Sequence, residues 1–333
     1  MTLNTSYKFV LEKSSRKIVC PGCGKKTAVR YMNTETKEFL PDHVCRCDRE
    51  NNCGYHLTAG QYFKSEGIEY KPTTKQLAPV EEIKVDLMLK DYIEKSMCGY
   101  DKTNFATWLI SLLTEKIANQ ALLKYFVGRS RNDGNRATIF WRIDKDGNVR
   151  TGKVISYNPL TGKRNKDRGA YMVHPKEKFN CVLCFFGEHL LTEYPNKTVG
   201  IVESEKTAIV ASIFIPDMVW IATGGNSGCK WREWSVFNVL KDRRVILFPD
   251  FGFFNKKTAK TCFAEWSERA TMIRRRMSCN ISISRILEDR LSEEERINDF
   301  DLADMLIKTE SPGGLAMTDI PGYPVMWDMH AKT

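Results

Sequence analysis

Two cysteine groups near the N-terminus constrain this chain more than any other feature of its sequence. Cys20-Pro-Gly-Cys23 places two thiols on one tight turn, and proline and glycine are the residues that such a turn needs. A second group follows in Cys47-Asp-Arg-Glu-Asn-Asn-Cys53-Gly. Because thiolates from two such turns can surround Zn²⁺ as a tetrahedron, the sequence predicts a zinc site formed by Cys20, Cys23, Cys47 and Cys53.

Cys45 and His56 are the alternative ligands, since the second half of the cluster offers more candidates than places. Cys53 is preferred because Gly54 follows it and supplies a glycine at the turn. The same thiols could instead be buried core cysteines. A segment this small and polar has little apolar surface, however, and zinc binding at about 10–16 kcal/mol would supply the missing stability.

The basic charge of the chain predicts a polyanionic partner. Among its 333 residues, 51 Lys+Arg outnumber 41 Asp+Glu, and the formal net charge is +10. This excess favours nucleic acid. Around the cysteines, basic residues with Tyr31 and Tyr55 interleaved would suit backbone contact and base stacking on single strands, and an ordinary solvated face is the alternative.

Cysteine usage and hydropathy predict a cytoplasmic protein without membrane contact. Eleven cysteines are an odd number, and several stand alone in apolar surroundings, which fits reduced thiols better than a disulfide framework. The N-terminus has no apolar stretch of signal-peptide length. The longest apolar stretch, 208–223, is interrupted by polar residues and a proline and is too short to cross a bilayer.

Shifts in composition divide the chain into five segments. The expected segments are a zinc ribbon at 1–66, a proline-containing linker at 67–80, a basic helical and β-hairpin region at 81–196, an α/β domain at 197–310 and a tail at 311–333. The fold class predicted is therefore α/β with an N-terminal zinc ribbon.

The middle segment combines short helices with a basic hairpin. Apolar spacing predicts a helix from 85, and Asp101 and Thr114 are expected to cap the next two helices. The pattern then alternates, which predicts a β-hairpin over 137–143 and 149–157 with its turn at Asp146-Gly147. The excess of cations predicts a trough for a template or a nucleoside triphosphate, and a merely soluble hairpin is the alternative. The candidate residues are Arg129, Arg136, Arg142, Lys153, Lys163 and Arg164.

From 197 onwards, apolar strands alternate with helices. Strands are predicted at 198–203, 218–223, 245–249 and 281–284, with helices at 205–214, 230–240 and 258–276. This alternation is typical of a parallel sheet with helices on both faces and with ligand chemistry at the carboxyl ends of its strands.

Two acidic residues stand at those carboxyl ends. Glu203 follows the first strand, and Asp250 follows a later one. Carboxylates gathered from separate strands can bind Mg²⁺ or Mn²⁺ and so act on phosphates. Lys206, near the start of the next helix, is a further nucleotide-binding candidate, whereas Asp304 is expected to be a helix cap or a surface charge. The glycine-rich loop at 224–228 could present amides to a phosphate, or simply join strand to helix.

In this order, the segments resemble primases of the Toprim (topoisomerase–primase) class, particularly the compact versions carried by phages and mobile elements. Glu203-Ser-Glu-Lys206 resembles the Glu-Gly-Glu-Lys-like motif of the family, with Ser204 in place of its glycine. Asp250-Phe-Gly252 resembles the family's Asp-x-Asp motif, with Gly252 in place of the second aspartate.

The resemblance also implies roles for individual residues. Glu203 would be the general acid/base or a residue that organises the metal, with Asp250 beside it. Asn298-Asp299-Phe-Asp301 resembles a later family motif, so Asp299 or Asp301 would supply the missing metal ligand.

Three functions are compatible with these features. The first is a metal-dependent primase-like nucleotidyltransferase that takes single-stranded DNA and nucleoside triphosphates during phage or mobile-element replication. Since the chain has no Walker A motif, a replicative helicase would be a separate partner. The second is a DNA-binding accessory module that has lost catalysis. The third, a Toprim nuclease, is disfavoured because a zinc ribbon is more expected in primases.

Overall fold

A computed structural model describes most of the chain between Thr5 and Thr309. The described residues are 5–6, 8–12, 16–68, 75–76, 85–131, 134, 136–173, 179–225, 228–231, 233–252, 254–255, 258–276, 279–292, 294–295 and 300–309. They fall into two compact units, one drawn from 1–83 and 253–261 and the other from 84–252 and 262–333. Asp299, most of the predicted linker and the whole predicted tail lie outside the described residues.

The first unit is an antiparallel ribbon. Its strands are β1 (Thr5–Ser6), β2 (Phe9–Leu11), β3 (Ile18–Val19), β4 (Lys26–Asn33), β5 (Cys45–Cys47) and β6 (Lys75–Gln76), with the later pair β14 (Phe254–Asn255) and β15 (Lys260–Thr261). The long strand β4 pairs with β2, β3 and β5. Two short helices follow β5: α1 (Glu50–Cys53) and α2 (Ala59–Ser65). Thr58 begins α2 with a capping box.

The second unit starts with helices packed beside an antiparallel sheet. The helices are α3 (Asp91–Met97), α4 (Asn104–Leu112) and α5 (Glu115–Lys124). The sheet has the order β10-β9-β8-β7, from β7 (Val127–Ser130), β8 (Ala137–Ile143), β9 (Val149–Ile155) and β10 (Tyr171–Val173). The predicted hairpin is β8–β9, whose turn contains Gly147 at φ +79°. Every residue of β8 is buried, so this hairpin is a core element.

Two expectations for these helices were wrong. The helix predicted from 85 begins only at Asp91, because Met88 pairs with Val149 as a β-bridge. Thr103, and not Asp101, caps α4, since its hydroxyl accepts a hydrogen bond from the Ala106 amide. Asp101 lies instead in a 3₁₀ turn, Tyr100–Lys102. Thr114 caps α5 as predicted.

The second unit continues as a four-stranded parallel sheet. Its strands are β11 (Val199–Val202), β12 (Val219–Ala222), β13 (Arg244–Leu247) and β16 (Asn280–Ile283), in the order β12-β11-β13-β16. The helices are α6 (Leu190–Glu193), α7 (Glu205–Phe214), α8 (Trp234–Phe237), α9 (Cys262–Arg276), α10 (Ile286–Arg290) and α11 (Leu302–Thr309). Because β11 and β12 are buried along their whole length, both faces of the sheet are covered. The predicted α/β class with an N-terminal ribbon is confirmed.

Two predicted helices of this region are shorter in the structure. Among the described residues of 230–240, the helical elements are α8 and a 3₁₀ turn, Asn238–Leu240. The helix expected from 258 begins at Cys262, since Lys260 and Thr261 pair with Phe254 and Asn255. Among the described residues, no helix is both long enough and apolar enough to span a membrane.

Glu188, buried at the turn before α6, should make stability fall as pH rises. It accepts hydrogen bonds from the Phe185 and Lys145 amides, but burial raises its pKa from 4.5 to about 7. An unfolded chain loses this proton near pH 4.5 and the folded chain only near pH 7, so folding becomes less favourable between those values. Since one pKa unit is about 1.4 kcal/mol, the loss approaches about 3 kcal/mol.

Glu188→Gln, which cannot ionise, is expected to flatten this dependence. The measurement is the free energy of unfolding in urea at pH 5, 6, 7 and 8 for wild type and variant. An equal slope in both proteins would show that Glu188 is not the responsible group.

Candidate functional site

Four cysteines meet at one end of the ribbon. Cys20 follows β3, Cys23 closes the first turn, Cys47 ends β5 and Cys53 ends α1. Their sulfur atoms all lie within 4.8 Å of one another. The turn needs a glycine, because a Cβ on Gly22 would lie 3.0 Å from the Cys53 sulfur. Four converging thiols are a donor set that fits Zn²⁺, as predicted from their spacing.

The two alternative ligands have other surroundings. Cys45 is buried, but its sulfur is not part of the four-sulfur group, and burial raises its pKa to about 11. His56 has both ring nitrogens engaged: Nδ1 lies 2.8 Å from a Glu50 carboxylate oxygen, and Nε2 lies 2.7 Å from the Tyr31 hydroxyl. Neither residue is placed to replace one of the four cysteines.

The two acidic residues predicted at strand ends lie on neighbouring strands. β11 and β13 are parallel, and the Phe248 amide donates to the Ile201 carbonyl where they end. Glu203 and Asp250 therefore leave the sheet at the same edge. Ser204 caps the helix α7 that follows by accepting a hydrogen bond from the Thr207 amide.

A backbone pairing brings a third carboxylate to this edge. Phe251 and Phe300 exchange both of their backbone hydrogen bonds as an antiparallel bridge. The bridge sets Asp250 opposite Asp301, although the two are far apart in sequence. Burial and the negative charges of Glu203 and Asp301 raise the pKa of Asp250 well above its usual range. Its Oδ1 is buried and has no hydrogen-bond partner among the described residues, so an oxygen ligand is available for a cation.

Lys206 is the cation that the chain itself supplies to these acids. Its ammonium nitrogen lies 3.2 Å from Asp301 Oδ2 and 3.3 Å from Asp304 Oδ1. Burial lowers the pKa of Lys206, but the two carboxylates outweigh burial and raise the pKa. Asp301 also accepts from Thr207 Oγ1 and from the Asp304 amide, so it begins α11 while it contacts α7. Asp304 combines a capping contact with an ion pair.

Cys262 is a neighbour of the acids that the sequence did not indicate. Its thiol lies 3.9 Å from Glu203 Oε2, and burial raises its pKa, which keeps it protonated. No local sequence motif identifies this cysteine. It lies near Glu203 because α9 begins at Cys262.

Arg142 and Lys153, both predicted to bind nucleic acid, form a buried ion cluster with Glu205. Arg142 Nη2 lies 2.9 Å from Glu205 Oε1, and Lys153 Nζ lies 3.0 Å from Oε2. The side chains of Arg142 and Glu205 are only 2% and 1% exposed. Burial alone would raise the pKa of Glu205, but Lys153 and Arg142 lower it. Arg142 thus joins the hairpin to α7 and has no surface to offer a template.

The glycine-rich loop is used internally in the same area. The amides of Gly224 and Gly225 both donate to the Glu203 carbonyl, and Lys153 donates to the Gly224 carbonyl. These two amides are therefore not free to bind a phosphate. Asn226 and Ser227 of this loop lie outside the described residues.

Breaking the buried cluster should be strongly destabilising. Glu205→Gln leaves two cations buried without their anion, which is expected to cost about 3–5 kcal/mol of unfolding free energy. Asp146→Asn, at the exposed pair Lys145–Asp146, is the matched control and should change stability by less than about 0.5 kcal/mol. Urea unfolding of the three proteins measures the difference. Equal losses in both variants would contradict the assignment.

The remaining basic candidates differ in exposure. Arg129 is half-buried and packs against Gly99, whereas Arg136, Lys163 and Arg164 are exposed. Lys163 and Arg164 line a cavity of about 610 Å³ formed largely by the loop between β9 and β10. These exposed cations remain candidates for contact with a polyanion.

Two family models match separate parts of the chain. A zinc β-ribbon finger family matches residues 7–68, and a domain of unknown function, DUF6371, matches residues 103–251. The ribbon match includes all four clustered cysteines. No curated protein sequence matches the chain.

Several solved primase structures are similar to the chain. The primase fragment of the bacteriophage T7 primase-helicase protein is 13% identical, with a TM-score of 0.38 over 83% of this chain and 90% of that one. The E. coli primase catalytic core is 11% identical, with a TM-score of 0.42 over 66% and 75%. The zinc-binding and RNA polymerase domains of the Aquifex aeolicus primase are 14% identical, with a TM-score of 0.34 over 90% and 83%.

Proposed function

We propose that this chain is a metal-dependent, primase-like nucleotidyltransferase of the Toprim class that acts on single-stranded DNA. The observation that carries the proposal is the Phe251–Phe300 bridge, which sets Asp301 opposite Asp250 at the edge where Glu203 leaves the sheet. Asp250 keeps a buried oxygen without a partner among the described residues, beside two further carboxylates. Such an oxygen set fits Mg²⁺ or Mn²⁺.

The residues of the chain would divide the chemistry between them. Glu203, Asp250 and Asp301 would hold the metal, with Asp299 as a further candidate. When bound, Mg²⁺ or Mn²⁺ neutralises and orients the phosphate oxygens of a nucleoside triphosphate. Glu203 would accept the proton of the attacking 3′-hydroxyl, whose oxygen bonds to the α-phosphorus as pyrophosphate leaves.

Other parts of the chain would bind the substrates. The exposed cations Arg136, Lys163 and Arg164 would contact phosphates, and the zinc ribbon would contact the DNA template. Lys206 forms an ion pair with Asp301, so a metal ion bound by Asp301 would have to displace the Lys206 ammonium group from that carboxylate. In keeping with the family resemblance, we place the activity in phage or mobile-element replication, with the helicase on a separate chain.

The test is primer synthesis by the full chain on single-stranded DNA. Labelled nucleoside triphosphates are supplied with Mg²⁺, with Mn²⁺ or with neither. We expect short oligonucleotides that require the divalent metal. Absence of product under all three conditions, from protein that still binds the DNA, would refute the nucleotidyltransferase.

A second function, a DNA-binding module without catalysis, is favoured by one specific observation. The Lys206 ammonium already lies 3.2 Å from Asp301, so an internal charge partly replaces a metal ion. Gly252 also stands where the family has a second aspartate. This function predicts DNA binding that weakens steeply with salt and is indifferent to Glu203→Gln.

A further inference from the structure

The loop between β9 and β10 carries the most exposed large apolar side chain among the described residues. Leu160, at its tip, is 86% exposed, and the next, Leu89, is 69% exposed. Single exposed leucines are common on protein surfaces, so exposure alone has no meaning. What distinguishes Leu160 is the construction of the loop around it.

The loop is held rigidly by hydrogen bonds at its base. Asn158 Oδ1 accepts from the amides of Leu160 and Thr161, at 2.8 and 3.2 Å. The Asn158 amide donates to the Lys163 carbonyl, and the Gly162 amide donates to the Asn158 carbonyl. The tip is therefore a fixed turn and not a loose excursion of the chain.

A close approach to α4 fixes the other side of the turn. Gly162 has φ +63°, and a Cβ at this position would lie 2.1 Å from a ring carbon of Trp108. Only glycine fits both the backbone conformation and the contact. Asn104, at the start of α4, also donates to the Tyr157 carbonyl at 3.0 Å. These contacts fix the backbone of the loop, whereas the Leu160 side chain at its tip is exposed to solvent.

Cations surround this tip. The adjoining cavity of about 610 Å³ is lined by four basic side chains and one acidic one: Lys163, Arg164, Lys166, Arg168 and Asp167. Pro159 and Thr161, the chain neighbours of Leu160, line the same cavity. A single-stranded nucleic acid would complement this surface, because its phosphates can bind the cations of the cavity and the apolar faces of its bases can contact the leucine. One leucine offers far less apolar area than a protein partner requires.

We propose that this loop is a wedge for single-stranded DNA, in which Leu160 inserts between two neighbouring bases while the adjoining cations bind the phosphates on either side. Apolar side chains are used in this way to unstack bases at kinked steps. The proposal rests on the proposed function only for the identity of the polyanion. It adds a binding element that is separate from the acidic residues.

The test uses the full zinc-loaded chain and a single-stranded oligonucleotide with one 2-aminopurine, without nucleotides or added divalent metal. Binding by wild type is expected to raise 2-aminopurine fluorescence as its neighbour is unstacked. Leu160→Ala should at least halve the rise and weaken binding about fivefold, because apolar contact area is lost. Leu160→Phe should restore both, since an aromatic ring also stacks on bases.

Matched variants separate the wedge from general binding. Leu89→Ala, at the second most exposed leucine of the described residues, should change neither quantity. The double variant Lys163→Gln/Arg164→Gln should make the plot of the logarithm of the binding constant against the logarithm of salt concentration less steep by about 1.4. This is the change expected when two phosphate contacts on a single strand are lost. A fluorescence rise and affinity in Leu160→Ala equal to wild type would overturn the wedge.

Failure of the wedge and failure of catalysis give different results. A chain that unstacks the oligonucleotide but makes no primers refutes only the nucleotidyltransferase. A chain that makes primers with Leu160→Ala showing a normal rise refutes only the wedge.

Discussion

Replacing Glu203 by glutamine is expected to reduce primer synthesis about 10³-fold, as for the loss of a general base that also organises a metal. Glutamine keeps the shape of the side chain but can neither take up the proton of the attacking hydroxyl nor contribute negative charge to the site. Glu203 leaves β11 at the edge where Asp250 leaves β13, with the Cys262 thiol 3.9 Å from its carboxylate. The measurement is the initial rate of oligonucleotide formation at saturating Mn²⁺, expressed per molecule able to bind single-stranded DNA.

Asp217→Asn is the matched control for this variant. Asp217 is an exposed carboxylate just before β12, at the amino edge of the same sheet, opposite to the proposed site. We expect it to leave the rate unchanged. Unfolding in urea should give similar midpoints for both variants, since neither residue is a core side chain. A Glu203→Gln protein that keeps more than about a tenth of the wild-type rate would show that Glu203 is not the base.

The parallel sheet could be predicted because buried strands have a recognisable sequence. Val199–Val202 and Val219–Ala222 are short apolar runs between helix signals, and both are buried along their length. The edge at which Glu203 and Asp250 meet follows directly from that topology. The cap of α4 does not follow from the sequence, because Asp101 and Thr103 can both cap a helix and only the hydrogen bond from the Ala106 amide selects Thr103.

The family resemblance names Asp301 as a candidate metal ligand, but its approach to Asp250, like the buried cluster, depends on long-range contacts that no local pattern contains. Asp301 reaches Asp250 through the pairing of Phe251 with Phe300, two residues with no common sequence signal. Arg142 lies in a segment rich in cations and was predicted to face a polyanion, but its position on the buried strand β8 turns it toward Glu205 in the interior. Charge counted along a sequence does not reveal which side of a strand is covered.

Removing the zinc is expected to unfold the ribbon unit while the parallel sheet remains folded. The buried cluster around the cysteines consists of Ala28 and the three thiols of Cys20, Cys45 and Cys47, and the described part of the ribbon adds only the small buried apolar side chains of Val29, Val44 and Ala59. So little apolar surface cannot offset the entropy of ordering the chain. Zinc binding at about 10–16 kcal/mol exceeds what a core of this size can provide. In Cys20→Ser, we expect hydrogen-exchange protection of the β4 amides to disappear and that of β11 to persist.

Zinc content distinguishes the four cysteines from their alternatives. The wild-type protein should bind one zinc ion per chain. The variants Cys20→Ser and Cys53→Ser should not retain it. Cys45→Ala is the matched control, since Cys45 is equally buried but its sulfur lies outside the four-sulfur group. His56→Gln should also keep its zinc, because both nitrogens of His56 are engaged by Glu50 and Tyr31. Loss of zinc from Cys45→Ala, or full β4 protection in Cys20→Ser, would contradict a ribbon that is held together by these four thiolates.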